Sequence, residues 1–453
     1  MSFTNLAAEL QIDIFSYLSN TDLKNVRAVS TCCRDNASVW LFHTVIACAR
    51  YTAMGAFQNI SLHPVYQKYV KEIVFDATQY DRTLASDERL YTQRASQFEE
   101  LTNAVSWHRH TRFKKYQARY EEQETIKRDG VLLQTIAKAL EWMPNVHSVV
   151  FTSVPRTLPV ERKDVRDIVP REFESQNWSS SRETPFPPPR VNLQTGFHHL
   201  IGAVALAGYA GVREFRVEPR LEHDGRFHLA DRTVDKPGPF AFGVKDFHFP
   251  EQSHFAAGKH FFEHLTSVDV TFGAFHRDTS AECFVNMRAL LAEAKGLQRL
   301  RVSADHRLMG FTRVPAAHSE HSASTFGLLG LDASWPSLTH VTLQGILATE
   351  KELRDMLARG HGVLESLRFL RCILRKGGRW SNLVEEIVDG TQIREFVLDG
   401  VCEADLGIGL FSRIDMSQYE GYLRTDENGE RHFEEPADKS IYAWQKFVRS
   451  ESE

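Results

Sequence analysis

The sequence lacks the features that direct a chain into membranes or oxidising compartments. It has six cysteines in 453 residues, without the spacing of a disulfide framework or a zinc site. No basic segment followed by an apolar core opens the chain. The longest apolar runs, residues 39–49 and 200–212, are too short to span a bilayer and are predicted to form core helices. We therefore expect free thiols and a cytoplasmic or nuclear location.

The sequence also lacks the signatures of common catalytic sites. It contains no GxxxxGK[ST] phosphate loop, no GxSxG nucleophile turn and no GxGxxG dinucleotide fingerprint. Among its 20 histidines, His260 and His264 have the i,i+4 spacing of helical metal ligands, but no HExxH motif surrounds them. We interpret them as surface or packed side chains. No catalytic, cofactor or metal site is predicted, although Cys48 and Cys283 stay open as nucleophiles.

The formal net charge of -5 provides no overall basic field for nucleic acid. One basic run, residues 109–119, has the interleaved aromatic residues of a surface that binds RNA or an acidic partner. Glutamates follow it immediately, and opposite charges four residues apart stabilise a solvated helix face. We favour the solvated face, and we predict no nucleic acid or membrane partner. The aromatic residues concerned are Trp107, Phe113, Tyr116 and Tyr120.

Three short amphipathic patterns open the chain. The first repeats apolar residues every four positions, and the second begins after a cap at Asn20 or Thr21. Ser30 is predicted to cap the third. About fifty residues cannot cover all the apolar faces that these helices display. Either the rest of the chain or a separate partner must bury what remains.

The residues of this segment resemble the F-box, a three-helix module that docks on a Skp-type adaptor of cullin-RING ubiquitin ligases. Ala7 and Cys33 occupy the positions of the proline and tryptophan usual in that family. The resemblance implies that Phe15 and Leu10 mostly hold the module together. It rests on Leu6, Glu9, Leu10, Ile14, Phe15, Leu18, Asp22, Leu23, the run from Val26 to Ser30, and Arg34. It implies adaptor contacts by Leu6, Ile14, Leu18, Leu23, Val26 and Val29.

Further along, the pattern apolar-x-x-apolar-x-apolar occurs seven times, mostly after a short apolar helical segment. Alternation after a helix is the β-α rhythm of a leucine-rich repeat, and the last intervals fall within its range of about 20–29 residues. Stacked units of this kind form a parallel sheet with helices outside. The triplets start at Val146, Val212, Leu265, Leu297, Leu338, Leu364 and Ile393.

Alternation along each predicted strand sends every second side chain to the exposed face of the sheet. Polar residues at these positions are the candidate surface for a protein substrate. They include Arg216, Asp269, Arg299, Arg301, Thr342, Arg368, Glu395 and Asp399.

The predicted organisation is an α/β protein with four parts. Residues 1–50 form the F-box-like module and residues 51–130 a helical connector, in which residues 72–75 are expected to form a strand. Residues 131–415 form the irregular leucine-rich-repeat-like solenoid, with loops at 153–195, 223–249 and 305–325. Residues 416–453 form a hairpin around Asn428-Gly429 and a final helix. Residues 120–151 also resemble the connector of fungal F-box proteins.

Three hypotheses of function follow. The first, which we prefer, is a non-catalytic substrate receptor of a Skp-cullin-F-box type ubiquitin ligase. The second is a leucine-rich-repeat scaffold unrelated to ubiquitin, in which the helical module packs against its own chain. The third is an enzyme that uses a histidine or carboxylate cluster without a recognised motif.

Overall fold

A computed structural model describes most of the chain. The described residues are 6–97, 106–152, 168–169, 171, 196–218, 242–272, 280–304, 324–375, 377–390, 392–404, 414–425 and 431–434. The chain divides into two compact units, Met1–Ala294 and Lys295–Glu453. The four parts predicted from the sequence have different boundaries from these two units, and they stay predictions.

The first unit opens with three helices that share a small core. They are α1 (Ala8–Ser16), α2 (Asn20–Val26) and α3 (Thr31–Leu41). Ser19 caps α2 by accepting from the Asp22 backbone N–H, so the cap lies one residue before the predicted Asn20. Ser30 caps α3 as predicted. Their shared core consists of Phe15, Leu23, Cys33 and Ala37.

The prediction of one core helix over residues 39–49 is wrong. Helix α3 ends at Leu41, and a strand, β1 (Thr44–Ala47), follows almost at once. Val45 and Ala47 point into the core, whereas Thr44 is exposed. A continuous apolar run fits a buried strand as well as a buried helix, and here the neighbouring strand decides the outcome.

Parallel strands continue through the first unit in chain order. Strands β1 to β5 pair successively, each with the next. The strands after β1 are β2 (Glu72–Asp76), β3 (Ser148–Thr152), β4 (Glu214–Glu218) and β5 (Ser267–Phe272). The helices are α4 (Tyr51–Leu62), α5 (Arg82–Ser86), α6 (Glu88–Ala95), α7 (Ser106–Arg128), α8 (Val131–Trp142), α9 (Gly196–Leu206), α10 (Gln252–Glu263) and α11 (Ala281–Glu293). The predicted connector therefore contributes β2 to the sheet.

The second unit also consists of parallel strands with helices between them. Its main strands β6 (Arg299–Ala304), β7 (His340–Gln344), β9 (Ser366–Leu370) and β11 (Glu395–Ala404) pair in parallel and in chain order. Two short strands, β8 (Leu347–Ala348) and β10 (Ile373–Leu374), extend the sheet beside the end of β11. The helices are α12 (Thr325–Leu328), α13 (Glu350–Arg359) and α14 (Trp380–Gly390).

The seven apolar triplets form the core of this architecture. The last two residues of every triplet lie on a strand, and all three residues of each are buried. The predicted helical segments before the strands lie in α8, α9, α11, α13 and α14. The α/β class with a large parallel sheet is thus confirmed, in the order expected of β-α repeats.

An antiparallel ribbon ends the described chain. Strand β12 (Ile414–Thr425) pairs with β11 and with β13 (Arg431–Glu434). The predicted turn at Asn428-Gly429 and the final helix lie outside the described residues, as do most of the predicted loops. In the loop predicted over 223–249, residues Val244–Phe247 form a turn of 3₁₀ helix.

Candidate functional site

An apolar stripe runs along the exposed side of α1. Leu10, Ile14 and Tyr17 follow the i,i+4,i+7 spacing of one helix face, and between 42% and 84% of each side chain is exposed. Val29, between α2 and α3, is 70% exposed. Scattered single apolar residues are ordinary on a surface, but several on one short helix face mark an interaction site. We call Leu10, Ile14 and Tyr17 the α1 stripe.

The opposite side of α1 is fixed by contacts with α3. Gln11 is buried and donates to the Leu6 carbonyl at 2.9 Å, and its Oε1 accepts from Asn36 at 3.1 Å. The indole of Trp40 donates to the Ile12 carbonyl at 2.7 Å. Because these polar groups are satisfied inside the module, α1 cannot rotate to bury its stripe without breaking them.

The six predicted adaptor-binding residues fall into different environments. Ile14 and Val29 are exposed, while Leu6, Leu18 and Val26 are half-buried. Leu18 and Val26 pack against the core of the module itself. The three helices themselves therefore contribute to the partial burial of Leu18 and Val26.

Two residues exchange the roles that the family resemblance implied. Leu23 is a member of the module core and is buried, so its assignment to a docking surface is corrected: the side chain holds α2 in place. Leu10, expected to hold the module together, is 54% exposed and belongs to the α1 stripe. Phe15 is in the core, as expected.

The module contacts the rest of the first unit through the end of α2. The Arg27 guanidinium donates to Tyr66 Oη at 3.0 Å and lies 5.1 Å from the centre of the Phe42 ring. Phe42 and Tyr66 stack with their ring centres 4.0 Å apart. These contacts lie outside the α1 stripe, which stays accessible beside them.

A second candidate surface is the polar face of the sheet. In the first unit, Arg216 and Asp269 stand opposite each other in the β4–β5 register, and both are half-buried. Arg216 lies 3.2 Å from Glu72 and 3.2 Å from Glu218. The predicted cation is therefore neutralised by a glutamate of its own strand and by one on β2, as in an ordinary solvated sheet.

In the second unit the predicted residues form adjacent rows across β6, β7, β9 and β11. Arg299 shares a row with Glu395, and Arg301 shares the next with Thr342 and Arg368. The registers thus bring together five of the residues that the sequence predicted separately. Asp399 lies one row further, opposite Leu370.

One of these carboxylates has a perturbed titration. The Arg368 guanidinium donates to Glu395, and the Ser366 hydroxyl donates to it at 2.6 Å. These hydrogen bonds, that of Arg368 first, lower the pKa of Glu395 because they stabilise its charged form. The charge of Arg368 is thereby partly neutralised within the sheet. Arg299, in the adjacent row, is exposed.

The basic run on α7 has the structure of a solvated helix face. Phe113 and Tyr116 are buried in a cluster with Tyr80 and Tyr91, so their rings are not available for stacking on bases. Arg119 pairs with Glu122 at 2.7 Å. This arrangement supports the interpretation preferred from the sequence.

The cysteines named as possible nucleophiles lie in unfavourable environments. Burial raises the pKa of the Cys48 thiol to about 11 and also raises the pKa of Cys283. A thiol with a raised pKa is protonated at neutral pH and reacts poorly. The free cysteines are Cys32, Cys33, Cys48, Cys283 and Cys372.

One cluster of potential metal ligands forms at the end of α10. Glu263 Oε1 lies 3.3 Å from His260 Nδ1 and 3.0 Å from His264 Nε2. The i,i+4 spacing of the two histidines is visible in the sequence, but Glu263 was not predicted to join them. A search for the pattern H-x-x-E-H would have found it.

The described residues form an α/β protein with a large parallel sheet, a three-helix module and two exposed candidate surfaces. No helix in the described ranges is both long and apolar enough to cross a membrane. No protein-family model matches the chain, and no curated protein matches it. The chain is similar to a solved structure, "Crystal structure of Rad7 and Elc1 complex in yeast", at 10% identity over 81% of each chain. The TM-score of this likeness is 0.23.

Proposed function

We propose that this chain is a non-catalytic substrate receptor of a Skp-cullin-F-box type ubiquitin ligase. The observation that carries the proposal is the α1 stripe, an apolar face that the chain leaves exposed on a module with F-box-like sequence. The partner that binds the α1 stripe is a Skp-type adaptor. Through this adaptor the chain joins a cullin-RING ligase. The chain acts in the cytoplasm or the nucleus.

The mechanism is proximity. The module binds the ligase through the adaptor, while the polar face of the repeat sheet holds a protein substrate. A substrate lysine held near a charged conjugating enzyme reacts at a raised effective concentration, without chemistry in this chain. The leucine-rich-repeat class and a fungal-type source are part of this proposal.

The scaffold alternative requires the module to be covered by its own chain. The exposure of Leu10, Ile14, Tyr17 and Val29 argues against that requirement in the structure described. The α1 stripe therefore favours the ligase receptor over the scaffold.

Adaptor binding is tested by charging the α1 stripe. In a Leu10→Asp/Ile14→Asp variant we expect association with a Skp-type adaptor to weaken by about 100-fold, since each side chain loses about 1–2 kcal/mol of apolar burial. Affinity is measured with the purified adaptor, after co-purification from the native host has identified it. Both residues are exposed, so the module should stay folded by circular dichroism.

The matched control places the same charges on other exposed apolar residues of the first unit. Leu62 and Val285 are similarly exposed, and a Leu62→Asp/Val285→Asp variant should bind the adaptor like the wild type. Equal affinity of the stripe variant and this control would refute adaptor docking through α1. So would recovery of no Skp-type adaptor with the wild-type chain.

Substrate binding is tested on β6. An Arg299→Glu/Arg301→Glu variant reverses two charges on the candidate surface without touching the module. Proteins recovered with the wild-type chain under proteasome inhibition should be lost with this variant, while adaptor recovery is unchanged. Mass spectrometry of both samples makes the comparison. An identical set of proteins would exclude this surface from substrate binding.

A further inference from the structure

The C-terminal end of α10 carries a side-chain cluster that the proposed function does not use. In the run His260-Phe261-Phe262-Glu263-His264 the two phenylalanines are buried, whereas the histidines are half-buried and the glutamate is exposed. Helical periodicity therefore places three potential ligands on one outer face, and the buried rings hold the helix beneath them.

The separations within the cluster match those of a zinc coordination sphere. With bonds of about 2.0–2.1 Å, two ligand atoms of a tetrahedral ion lie about 3.4 Å apart. Glu263 Oε1 lies 3.3 Å from His260 Nδ1 and 3.0 Å from His264 Nε2. The three ligand atoms all lie within 4.8 Å of one another.

The surroundings favour a cation. The last turn of a helix carries a partial negative charge, which adds to the charge of Glu263. The position of the last ligand is fixed by its backbone, because the Arg213 guanidinium donates to the His264 carbonyl at 3.1 Å. Lys259, on the same helix, forms an ion pair with Glu293 at 2.7 Å.

We propose that His260, Glu263 and His264 form a binding site for a divalent transition-metal ion of the zinc class. Two imidazoles and one carboxylate supply three ligands, and water completes the tetrahedron. Because Oε1 lies between both imidazole nitrogens, Glu263 acts as a ligand and not as a base beside the ion. The site is independent of adaptor docking.

The test is zinc titration of the full chain by calorimetry, after removal of bound metals with a chelator. We expect the wild type to bind one more equivalent of Zn²⁺ than a His260→Asn/His264→Asn variant, or to bind it about 100-fold more tightly. The matched control is His147→Asn/His340→Asn, which removes two exposed histidines elsewhere. This control should titrate like the wild type.

A second variant tests whether weaker zinc binding could result from unfolding of the protein. Glu263→Gln keeps the size of an exposed side chain and should weaken zinc binding while leaving the circular dichroism spectrum unchanged. Cobalt bound to the wild type should show the visible absorption of a tetrahedral site, and the Glu263 variant should lose it. Equal zinc affinity and stoichiometry in the wild type and the double variant would overturn the proposal, as would no zinc binding by the wild type.

Discussion

At pH 5 the first unit is expected to be about 4 kcal/mol less stable than at pH 7, because two adjacent histidines are buried in it. His198 and His199, on α9, are among the buried polar residues of the core. Burial lowers the pKa of each to about 4, with His254 adding to the effect on His198 and Lys127 to that on His199.

The direction of this effect follows from which state binds the proton. Above a pH of about 6.5 both imidazoles are neutral in the folded and the unfolded chain, so they do not affect the pH dependence of stability. Below that pH the unfolded chain binds two protons that the folded chain excludes. Stability is therefore lost as the pH falls from about 6.5 to 4, at about 1.4 kcal/mol per histidine and pH unit.

The measurement is urea unfolding between pH 7 and pH 5, followed by circular dichroism. A His198→Phe/His199→Gln variant should show a much smaller fall in the unfolding free energy over this range, whatever its stability at pH 7. Phenylalanine suits the first position, where the imidazole packs 5.2 Å from the Phe249 ring centre. His147→Gln removes an exposed imidazole and should keep the wild-type slope. A double variant with the wild-type slope would contradict the assignment.

The parallel sheet could be predicted from the sequence because each repeat strand needs apolar residues at fixed positions. Leu297, Leu300 and Val302 illustrate this rule: the first is buried just before β6, and the others alternate along the strand toward the core. A one-residue shift would expose the whole set, so the pattern is strongly constrained. The irregular spacing between repeats did not matter, since the insertions lie between strands.

Strand β1 could not be predicted on the same basis. The segment from Val39 to Ala49 is apolar on nearly every residue, and such a run has neither the period of a helix nor that of a strand. Whether this run forms a strand or a helix depends on pairing with β2, which lies about thirty residues away in the chain. Local sequence carries no record of that pairing.

The candidate site was only partly predictable, for a related reason. Leu10 and Leu23 are the same residue type at equally regular helical spacings, yet one is exposed and the other is in the module core. Which face of a short helix turns inward depends on its packing against α3, including the hydrogen bonds of Gln11. The family pattern pointed to this segment, and the structure shows which of its side chains are exposed and which are buried.

In the second unit, the largest effect of a single substitution is expected from Trp380→Ala. Trp380 opens α14, is fully buried, and packs with its ring centre 5.3 Å from that of Phe369 on β9. Its backbone N–H donates to Glu403 at 2.8 Å, and alanine keeps that bond. The loss is therefore one of side-chain packing, which costs about 3–5 kcal/mol for a buried tryptophan.

The control for this prediction is Trp142→Ala, which removes the same side chain from a half-exposed position at the end of α8. It should cost less than about 1 kcal/mol, because little buried area and no cavity are involved. Unfolding midpoints in urea make the comparison, and equal losses for the two variants would contradict it. Phe369 lies beside Arg368, whose side chain is on the opposite face of β9. A cavity behind this strand should therefore also disturb the surface that we propose for substrate binding.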